Sequence, residues 1–381
     1  MDFSLSEEQV ILRKEIIRFA QQELNQGVAE RDREQQFPRD LWLKCGEMGL
    51  QGLAIPEEHG GGGLDPLSTA LALEALGYGC QDGGLVFSIC AHLLACVIPV
   101  WKFGTEEQRR RYLPSLCNGS LIAVNAMSEP GSGSDAFAMA TKAVPDGNGF
   151  RITGTKTFAS NGPAADIALV FAVTDAEKGY HGGITAFLVE KKAGFQAGRK
   201  FDKMGLRTSW ISELSFDGVY VCRDAILGGL GAGATVFTHS MDWERTCLFA
   251  THVGMMERLL EKAVEYARTR TQFGQTIGKF QAISHRIADM KMQLEAARLL
   301  IYRAASRLER TRAASLDASI AKVFVSEALV KTAMTTLQIF GGYGYMADYH
   351  VERAVRDSLA STIYSGTNEM QRNIIARWLG V

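Results

Sequence analysis

The chain has 381 residues, of which 46% are hydrophobic, so it can bury a large core and we expect more than one folding unit. Its 41 basic and 42 acidic residues nearly cancel without a long run of either sign, which argues against a nucleic-acid or anionic-membrane partner. The seven cysteines are scattered and form no Cys-x-x-Cys pair, which argues against a disulfide framework or a zinc site. We therefore expect a soluble, cytoplasmic protein without a bound metal.

The first 120 residues carry helical signals. Ser6 and Gln9 have the spacing of a capping box ahead of an amphipathic stretch, which predicts a helix start and not a signal peptide. Further helices are predicted over residues 38–49 and 68–77, with the glycine run 60–63 as the linker between them.

The most apolar stretch of the chain covers residues 85–101. His92 and Pro99 interrupt it. We expect it to be too short and too broken to span a bilayer, which needs about 20 apolar residues in a row.

A β-rich region follows, from residue 121 to residue 232. The sequence Pro-Asp-Gly-Asn-Gly at 145–149 predicts a hairpin turn. The glycines at 229, 231 and 233 lack the spacing of a dinucleotide-binding loop, so we interpret them as an ordinary loop. The predicted strands are 121–127, 149–158, 167–173, 183–189 and 213–221.

Long helices return from residue 233 to the end. Apolar residues at helical spacing predict a helix over 283–308, and a second helix is predicted over 316–340, ending at Gly341 and Gly342. The order predicts three domains: a helical domain (1–120), a middle β domain (121–232) and a C-terminal helical bundle (233–381). The fold class is thus mainly α with a central β domain.

Glu244 is out of place in its predicted helix. It lies three residues after Met241 and four before Leu248, on the apolar stripe of the helix that follows Gly233. Burial of a carboxylate is costly and raises its pKa, which makes it a suitable base near neutral pH. The alternative is a structural ion pair of Glu244 with Arg245, His239 or His252.

Several segments together resemble the acyl-CoA dehydrogenase family over essentially the whole chain. Any one of them is a weak signal, but all of them occur in the family's order and spacing. The segments are Ala126-Met-Ser-Glu-Pro-Gly-Ser-Gly-Ser-Asp135, Gly154-Thr-Lys-Thr-Phe-Ala-Ser-Asn-Gly162, Lys203-Met-Gly-Leu-Arg207, Arg268-Thr-Arg-Thr-Gln-Phe-Gly274 with Phe280-Gln-Ala-Ile-Ser284, Gln338-Ile-Phe-Gly-Gly-Tyr-Gly344 and Ile363-Tyr-Ser-Gly-Thr-Asn-Glu369.

The resemblance implies the acyl-CoA dehydrogenase fold, with an N-terminal helical domain, a middle β-barrel-like domain and a C-terminal four-helix bundle. It also implies bound FAD and a homotetramer. The implied reaction removes the α-proton of an acyl thioester while a hydride leaves the β-carbon for the flavin.

The resemblance also assigns cofactor contacts, with three of the residues reaching the FAD of a neighbouring subunit. For each assignment a structural alternative remains: a Gly/Ser/Pro turn, a plain strand residue, a solvated arginine or a helix C-cap. The residues matched to the subunit's own FAD are Asn125, Met127, Ser128, Ser134, Phe158, Ser160, Gln338, Gly341, Gly342, Thr367 and Glu369, and those matched to the neighbour's FAD are Arg270, Phe273 and Gln281.

The sequence departs from the family at one critical position. Many members carry their catalytic glutamate in a C-terminal Tyr-Glu-Gly-Thr motif, which here is Tyr-Ser-Gly-Thr at 364–367. A serine hydroxyl is too weak a base, and Glu244 matches the glutamate of the isovaleryl-type branch. We expect the backbone N–H of Ser365 to help bind the thioester carbonyl. The resemblance places the substrate near Asp242, Arg245, Tyr364, Ser365 and Gly366.

The nearest likeness is to prolyl-carrier-protein dehydrogenases and oxidases, as in anatoxin and pyrrole pathways. It rests on segments near residues 77–108 and 240–246. It implies oxidation of L-prolyl on the phosphopantetheine arm of a carrier protein, with electrons passing to an electron-transfer flavoprotein or to O2. Two alternatives stay open: a short- or branched-chain acyl-CoA dehydrogenase, and a catalytically silent flavin-binding scaffold.

Overall fold

The structure is a computed structural model that describes residues 4–311 and 313–381. It has a helical region, then a sheet, then a second helical region, which confirms the predicted fold class. One hydrophobic core runs through both helical regions and reaches one side of the sheet, while a second, smaller core lies within the sheet region.

The described part of the N-terminal region, from residue 4 onward, holds seven α-helices. The capping box at its start is confirmed: the Ser6 hydroxyl accepts from the Gln9 backbone N–H at 3.2 Å, and the Gln9 side chain accepts from the Ser6 N–H at 3.1 Å. The helices are α1 (Glu7–Phe19), α2 (Val28–Glu34), α3 (Arg39–Glu47), α4 (Pro66–Gly79), α5 (Gly83–His92), α6 (Ile98–Phe103) and α7 (Glu106–Cys117).

The apolar stretch that was expected to be broken is one continuous helix over residues 83–103. We call it the central helix. A π-helical turn, Leu93–Val97, joins α5 to α6. Pro99, the second residue of α6, has no N–H to give to the Ala95 carbonyl, which accepts from the Asn125 side chain instead. The helix is long and apolar enough to cross a membrane, as is Ala314–Phe340, but 89% of its apolar window is buried inside the protein. That burial accounts for its composition.

The middle region is an eight-stranded sheet in the order β6-β7-β3-β2-β4-β5-β8, with β1 parallel to β4. The predicted hairpin is confirmed, since Asp146 pairs with Gly149, but its first strand was not among those predicted. The strands are β1 (Ala123–Ala126), β2 (Lys142–Asp146), β3 (Gly149–Ser160), β4 (Ile167–Val173), β5 (Ile184–Glu190), β6 (Gln196–Ala197), β7 (Ile211–Cys222) and β8 (Ile226–Leu227).

The C-terminal region returns to helices around a small hairpin. Its helices are α8 (Gly233–Trp243), α9 (Phe249–Thr269), α10 (Gln281–Arg307), α11 (Ala314–Phe340), α12 (Gly342–Tyr345), α13 (Val351–Leu359) and α14 (Asn368–Trp378), and its hairpin consists of β9 (Thr271–Gln272) and β10 (Gln275–Thr276). A π-helical turn, Glu244–Leu248, joins α8 to α9. The expected single apolar stripe across this segment is therefore wrong in detail, because the wider turn shifts the helical phase after residue 243.

Candidate active site

Glu244 is the first residue of the π-helical turn and is 8% exposed. Its carboxylate accepts a hydrogen bond from the hydroxyl of Ser365, which lies in the loop between α13 and α14. Residues 365 and 244 are therefore neighbours in space. The serine at the motif position contacts the Glu244 carboxylate, which comes from a different helix.

The loop around Ser365 is held from both sides. The carbonyl oxygen of Ser365 accepts hydrogen bonds from the Arg245 guanidinium at 3.0 Å and from the Gln371 side chain at 3.2 Å. Ser365 has φ 58° and Gly366 has φ 83°, a left-handed pair that L side chains rarely adopt and that these bonds stabilise. Within the described residues no acceptor pairs with the Ser365 N–H, so this donor is free for a ligand.

Burial raises the pKa of Glu244, while the hydrogen bond from Ser365 and the charge of Arg245 oppose the rise. Among the described residues no ion pair joins Glu244 to Arg245, His239 or His252, and the Arg245 guanidinium lies 3.9 Å from Asp242 instead. His239 lies 3.3 Å from Glu309 and His252 bonds Tyr364, so neither pairs with Glu244. The carboxylate is a buried group with a raised pKa and one hydroxyl donor, as a general base requires.

Two further predicted substrate residues flank Glu244. Burial raises the pKa of Asp242, against the opposing charge of Arg245, whose guanidinium lies 3.9 Å from the carboxylate. Arg245 is itself buried and also binds the loop carbonyl of Ser365. Arg245 therefore links the helix to the loop, and its proposed contact with substrate stays a prediction.

Tyr364 is half-buried next to Ser365. Its hydroxyl lies 2.5 Å from Nε2 of His252, and its ring packs on Phe87 with centroids 4.9 Å apart. Burial lowers the pKa of His252 to about 3, so this imidazole is neutral at physiological pH.

A buried ion pair holds the segment matched to the flavin ring. Lys156 of β3 is fully buried and donates to Glu129 at 2.8 Å and to the Met127 carbonyl at 3.0 Å. The Glu129 carboxylate also accepts the backbone N–H groups of Ala140 and Thr141, at 2.6 and 2.9 Å. These bonds outweigh burial and lower the pKa of Glu129. The pair therefore ties both ends of the 127–141 loop to the sheet.

The second segment matched to the flavin contains a β-bulge. The pairing of β3 with β7 shifts register between Lys156 and Ala159, and Phe158 has φ 53° there. A bulge re-aims side chains, and this one leaves the Phe158 ring 68% exposed, while Thr157 N–H donates to the Ser128 carbonyl at 2.8 Å. An exposed aromatic ring beside an ordered loop is a fitting platform for a planar cofactor ring.

The central helix joins the two halves of the site. It packs against both β1 and the π-helical turn that begins at Glu244. Asn125 of β1 donates to the carbonyl of Ala95 at 3.0 Å, and Asn161 beyond β3 donates to the carbonyl of Ser88 at 3.0 Å. The predicted flavin strands and the predicted base are therefore fixed to one buried element.

The residues matched to a neighbour's cofactor lie around the β9–β10 hairpin. Phe273, at its tip, has φ 53° and is 93% exposed, and Gln281 begins α10. The Arg270 guanidinium lies over the ring of Tyr343 at 5.5 Å, which connects this hairpin to the turn at Gly341. The predicted residues Gln338, Gly341 and Gly342 are exposed around that turn, as is Ser134 in the 127–141 loop.

The start of α14 contains two predicted cofactor residues, Thr367 and Glu369, and between them Asn368, which was not among those predicted. Thr367 caps the helix by accepting the Met370 N–H at 3.4 Å, and Glu369 is exposed beside it. The next residue after the cap, Asn368, is buried and accepts from Lys322 at 2.6 Å. Lys322 lies on α11 among typical helical residues, so nothing in the local sequence indicated that it is buried and bonded to Asn368.

Models of three domains match the chain in order: acyl-CoA dehydrogenase N-terminal domain (6–120), middle domain (125–219) and C-terminal domain (231–380). An L-prolyl-[peptidyl-carrier protein] dehydrogenase of Pseudomonas fluorescens is 45% identical over 345 residues, 90% of this chain and 90% of that protein. The crystal structure of the prolyl acyl carrier protein oxidase AnaB has a TM-score of 0.97 at 43% identity, covering 99% of this chain and 100% of that one. A structure described as PigA with FAD and proline has a TM-score of 0.97 at 40% identity, with 100% and 99% covered.

Proposed function

Because the chain belongs to the acyl-CoA dehydrogenase family, we propose that it oxidises L-prolyl held as a thioester on the phosphopantetheine arm of a carrier protein, with Glu244 as base. The enzyme is an FAD-dependent oxidoreductase that acts on acyl thioesters. Its relatives include a dehydrogenase and an oxidase whose names specify a prolyl carrier protein. The observation that carries the proposal is the buried Glu244 carboxylate beside the Ser365 loop.

The chain's own residues account for the proton chemistry. Glu244 takes the α-proton, and the Ser365 hydroxyl stabilises the carboxylate that does so. The N–H of Ser365 would bind the thioester carbonyl, where negative charge builds as the proton leaves. When bound, FAD supplies the hydride acceptor. Met127, Ser128, Phe158 and Ser160 would hold its ring.

Mass spectrometry of prolyl-loaded carrier protein after incubation with the enzyme tests the proposal. We expect the prolyl group to lose two hydrogens for each round of oxidation. An unchanged prolyl group, with enzyme that is fully loaded with FAD, would contradict the substrate assignment. The same spectrum counts the rounds and so distinguishes a pyrroline from a pyrrole product.

The two alternatives are separated by their substrates. A branched-chain acyl-CoA dehydrogenase would turn over isovaleryl-CoA faster than prolyl-carrier protein. A silent scaffold would leave the flavin absorbance unchanged when mixed anaerobically with either thioester. Comparing flavin bleaching with both thioesters in parallel assigns the enzyme to one of the three functions.

We also propose a homotetramer in which Arg270, Phe273 and Gln281 reach the FAD of a neighbouring subunit. Support comes from Phe273, an apolar ring that the rest of its own chain leaves 93% exposed at a hairpin tip. Light scattering of the purified enzyme should give four chains per particle. Phe273→Ala should lower FAD retention without unfolding the subunit.

The electron acceptor completes the proposed reaction. We propose an electron-transfer flavoprotein or O2 in this role. Reoxidation of the bleached flavin in air, compared with reoxidation by added electron-transfer flavoprotein without oxygen, identifies which one acts. A fast reaction in air would make the enzyme an oxidase.

A further inference from the structure

The hydrogen-bond direction around His252 is fixed by Thr251. The Thr251 hydroxyl has one proton, and it donates that proton to the Leu248 carbonyl, which can only accept, at 2.6 Å. The same hydroxyl oxygen lies 2.9 Å from Nδ1 of His252, so it accepts there and Nδ1 carries the hydrogen. Because the imidazole is neutral, Nε2 is bare and can only accept.

The Tyr364 hydroxyl must therefore donate its only proton to Nε2 of His252, at 2.5 Å. Its oxygen keeps free lone pairs but has no proton left for a ligand. Tyr364 thus presents an acceptor, and not a donor, to any group that approaches its half-exposed side.

Two other polar side chains near this ring, Arg258 and Asp357, each hold the backbone through one of their polar atoms. One nitrogen of the Arg258 guanidinium donates to three carbonyls, of Gly77, Tyr78 and Cys80, at 2.6 to 2.8 Å. The Asp357 carboxylate accepts the Leu206 N–H at 2.6 Å. Both side chains line a cavity of about 30 Å³ that Tyr364 and His252 also border. A cavity of that volume has room for about one water molecule.

The surroundings of the tyrosine are otherwise apolar. Its ring packs between Phe87 and Phe249, with centroids 4.9 and 5.7 Å away, and Leu248 and Met255 line the cavity beside it. Tyr364 is also adjacent in sequence to Ser365, whose hydroxyl binds the Glu244 carboxylate. Burial raises the pKa of Tyr364, and the nearby charge of Glu244 acts in the same direction. An acyl group whose α-carbon meets Glu244 would therefore lie close to the Tyr364 oxygen, an acceptor set in a largely apolar wall.

We propose that the Tyr364 hydroxyl oxygen accepts a hydrogen bond from the amine of the acyl group, and that this contact selects α-aminoacyl thioesters over hydrocarbon thioesters of equal size. The proposal rests on the proposed function and deepens it. His252 is a positioning residue, because it holds the tyrosine proton away from the substrate. The proton direction that Thr251 and His252 impose is what makes this tyrosine an acceptor.

The test compares prolyl with cyclopentanecarbonyl, which replaces the ring N–H by CH2, on the same carrier protein. Wild-type enzyme should prefer prolyl in kcat/KM. In Tyr364→Phe the prolyl-to-cyclopentanecarbonyl ratio should fall by about 10- to 100-fold, the effect of a lost hydrogen bond to a buried polar group. Flavin absorbance is measured for each variant, so that loss of cofactor is not mistaken for loss of selectivity.

Variants of His252 separate positioning from folding. His252→Leu removes the acceptor, frees the tyrosine proton to point at the substrate, and should lower the same ratio. His252→Gln keeps an amide oxygen as acceptor and should retain more of the ratio than His252→Leu. Equal losses on both substrates in Tyr364→Phe, or no loss in the ratio, would overturn the proposal.

Repeating the comparison with prolyl-CoA and cyclopentanecarbonyl-CoA separates this proposal from the carrier-protein assignment. Activity on the two CoA thioesters alone would contradict the carrier-protein assignment. The prolyl-to-cyclopentanecarbonyl ratio measured on CoA would still test selection for the amine. A wild-type enzyme that oxidises cyclopentanecarbonyl as well as prolyl on both arms would overturn amine selection. No oxidation of prolyl on either arm would overturn both.

Discussion

The hydroxyl of Ser365 donates a hydrogen bond to the carboxylate of Glu244 across 121 residues of sequence. The bond joins the π-helical turn before α9 to the loop before α14. Arg245, next to the glutamate, bonds the serine's own carbonyl in return. The two segments therefore hold each other in place, and the serine at the motif's usual glutamate position becomes a hydrogen-bond partner of the proposed base.

Glu244→Gln tests the base directly. The amide keeps the size of the side chain and can still accept from Ser365, but it cannot take a proton. We expect turnover to fall by about two to four orders of magnitude, the usual contribution of a general base, with FAD retained. Anaerobic flavin reduction by the thioester measures the step itself.

The matched control is Glu265→Gln, which changes an exposed glutamate on α9. It should behave as wild type. Turnover of Glu244→Gln within a few-fold of wild type would remove Glu244 from the mechanism.

Ser365→Ala should move the pH profile of flavin reduction. The serine hydroxyl lowers the pKa of Glu244 against the effect of burial, so its loss raises that pKa further. Only the ionised carboxylate acts as base, and activity is lost as pH falls through its pKa. The acidic limb should therefore shift to higher pH, while the plateau at alkaline pH is retained.

Ser361→Ala is the control for this shift, because its buried hydroxyl lies in the same region and donates to the Ser358 carbonyl instead of to Glu244. It should leave the limb in place. A limb that does not move in Ser365→Ala would show that the hydrogen bond leaves the ionisation of Glu244 unaffected.

Much of the architecture could be predicted from the sequence because it follows local signals. The capping box at Ser6, the turn at 145–149 and the strand Ile167–Val173 rest on propensity and periodicity, and the structure confirms them. The roles of the predicted cofactor residues rest on motifs alone and stay predictions. The burial of Glu244 could be predicted because apolar residues at helical spacing, Met241 and Leu248, lie on either side of it.

The parts that could not be predicted depend on long-range contacts. Three π-helical turns occur in the described residues, namely Ala20–Leu24, Leu93–Val97 and Glu244–Leu248. They break the regular 3.6-residue period, and no composition signal distinguishes them from regular helix. Lys156 and Lys322 look like surface lysines in sequence, yet both are fully buried. Their partners come from distant segments, which a local pattern does not contain.

Lys156→Met should weaken both stability and FAD binding. It leaves the buried Glu129 carboxylate without its cation, a loss that costs about 3–5 kcal/mol in buried pairs. It also removes the donor to the Met127 carbonyl in the predicted flavin loop. We expect a lower midpoint of thermal unfolding and a weaker FAD affinity, measured by fluorescence titration of the apoprotein.

The double variant Lys156→Met with Glu129→Gln separates the two effects. Removal of the orphaned charge should recover part of the stability, while FAD affinity stays low because the loop remains untied. Lys142→Met, an exposed lysine on β2, is the control. Unchanged FAD affinity in Lys156→Met would show that the ion pair does not position the loop.

Lys322 should make the stability of the enzyme depend on pH above neutrality. Burial lowers its pKa from 10.5 to about 7, and the charge of Arg245 acts in the same direction. Between these values the unfolded chain binds the proton that the folded chain has lost, so stability rises with pH in that window, by at most about 1.4 kcal/mol per pH unit. Lys322→Met removes this contribution together with the bonds to Asn368 and the Thr362 carbonyl.

The measurement is the unfolding free energy of the FAD-loaded enzyme from pH 7 to pH 9, for wild type and Lys322→Met. The wild-type value should rise relative to the variant across this range, and below pH 7 the difference should become constant. Lys331→Met, an exposed lysine on the same helix, should follow wild type. Parallel curves for wild type and Lys322→Met would mean that Lys322 keeps its proton in the folded enzyme, despite its burial.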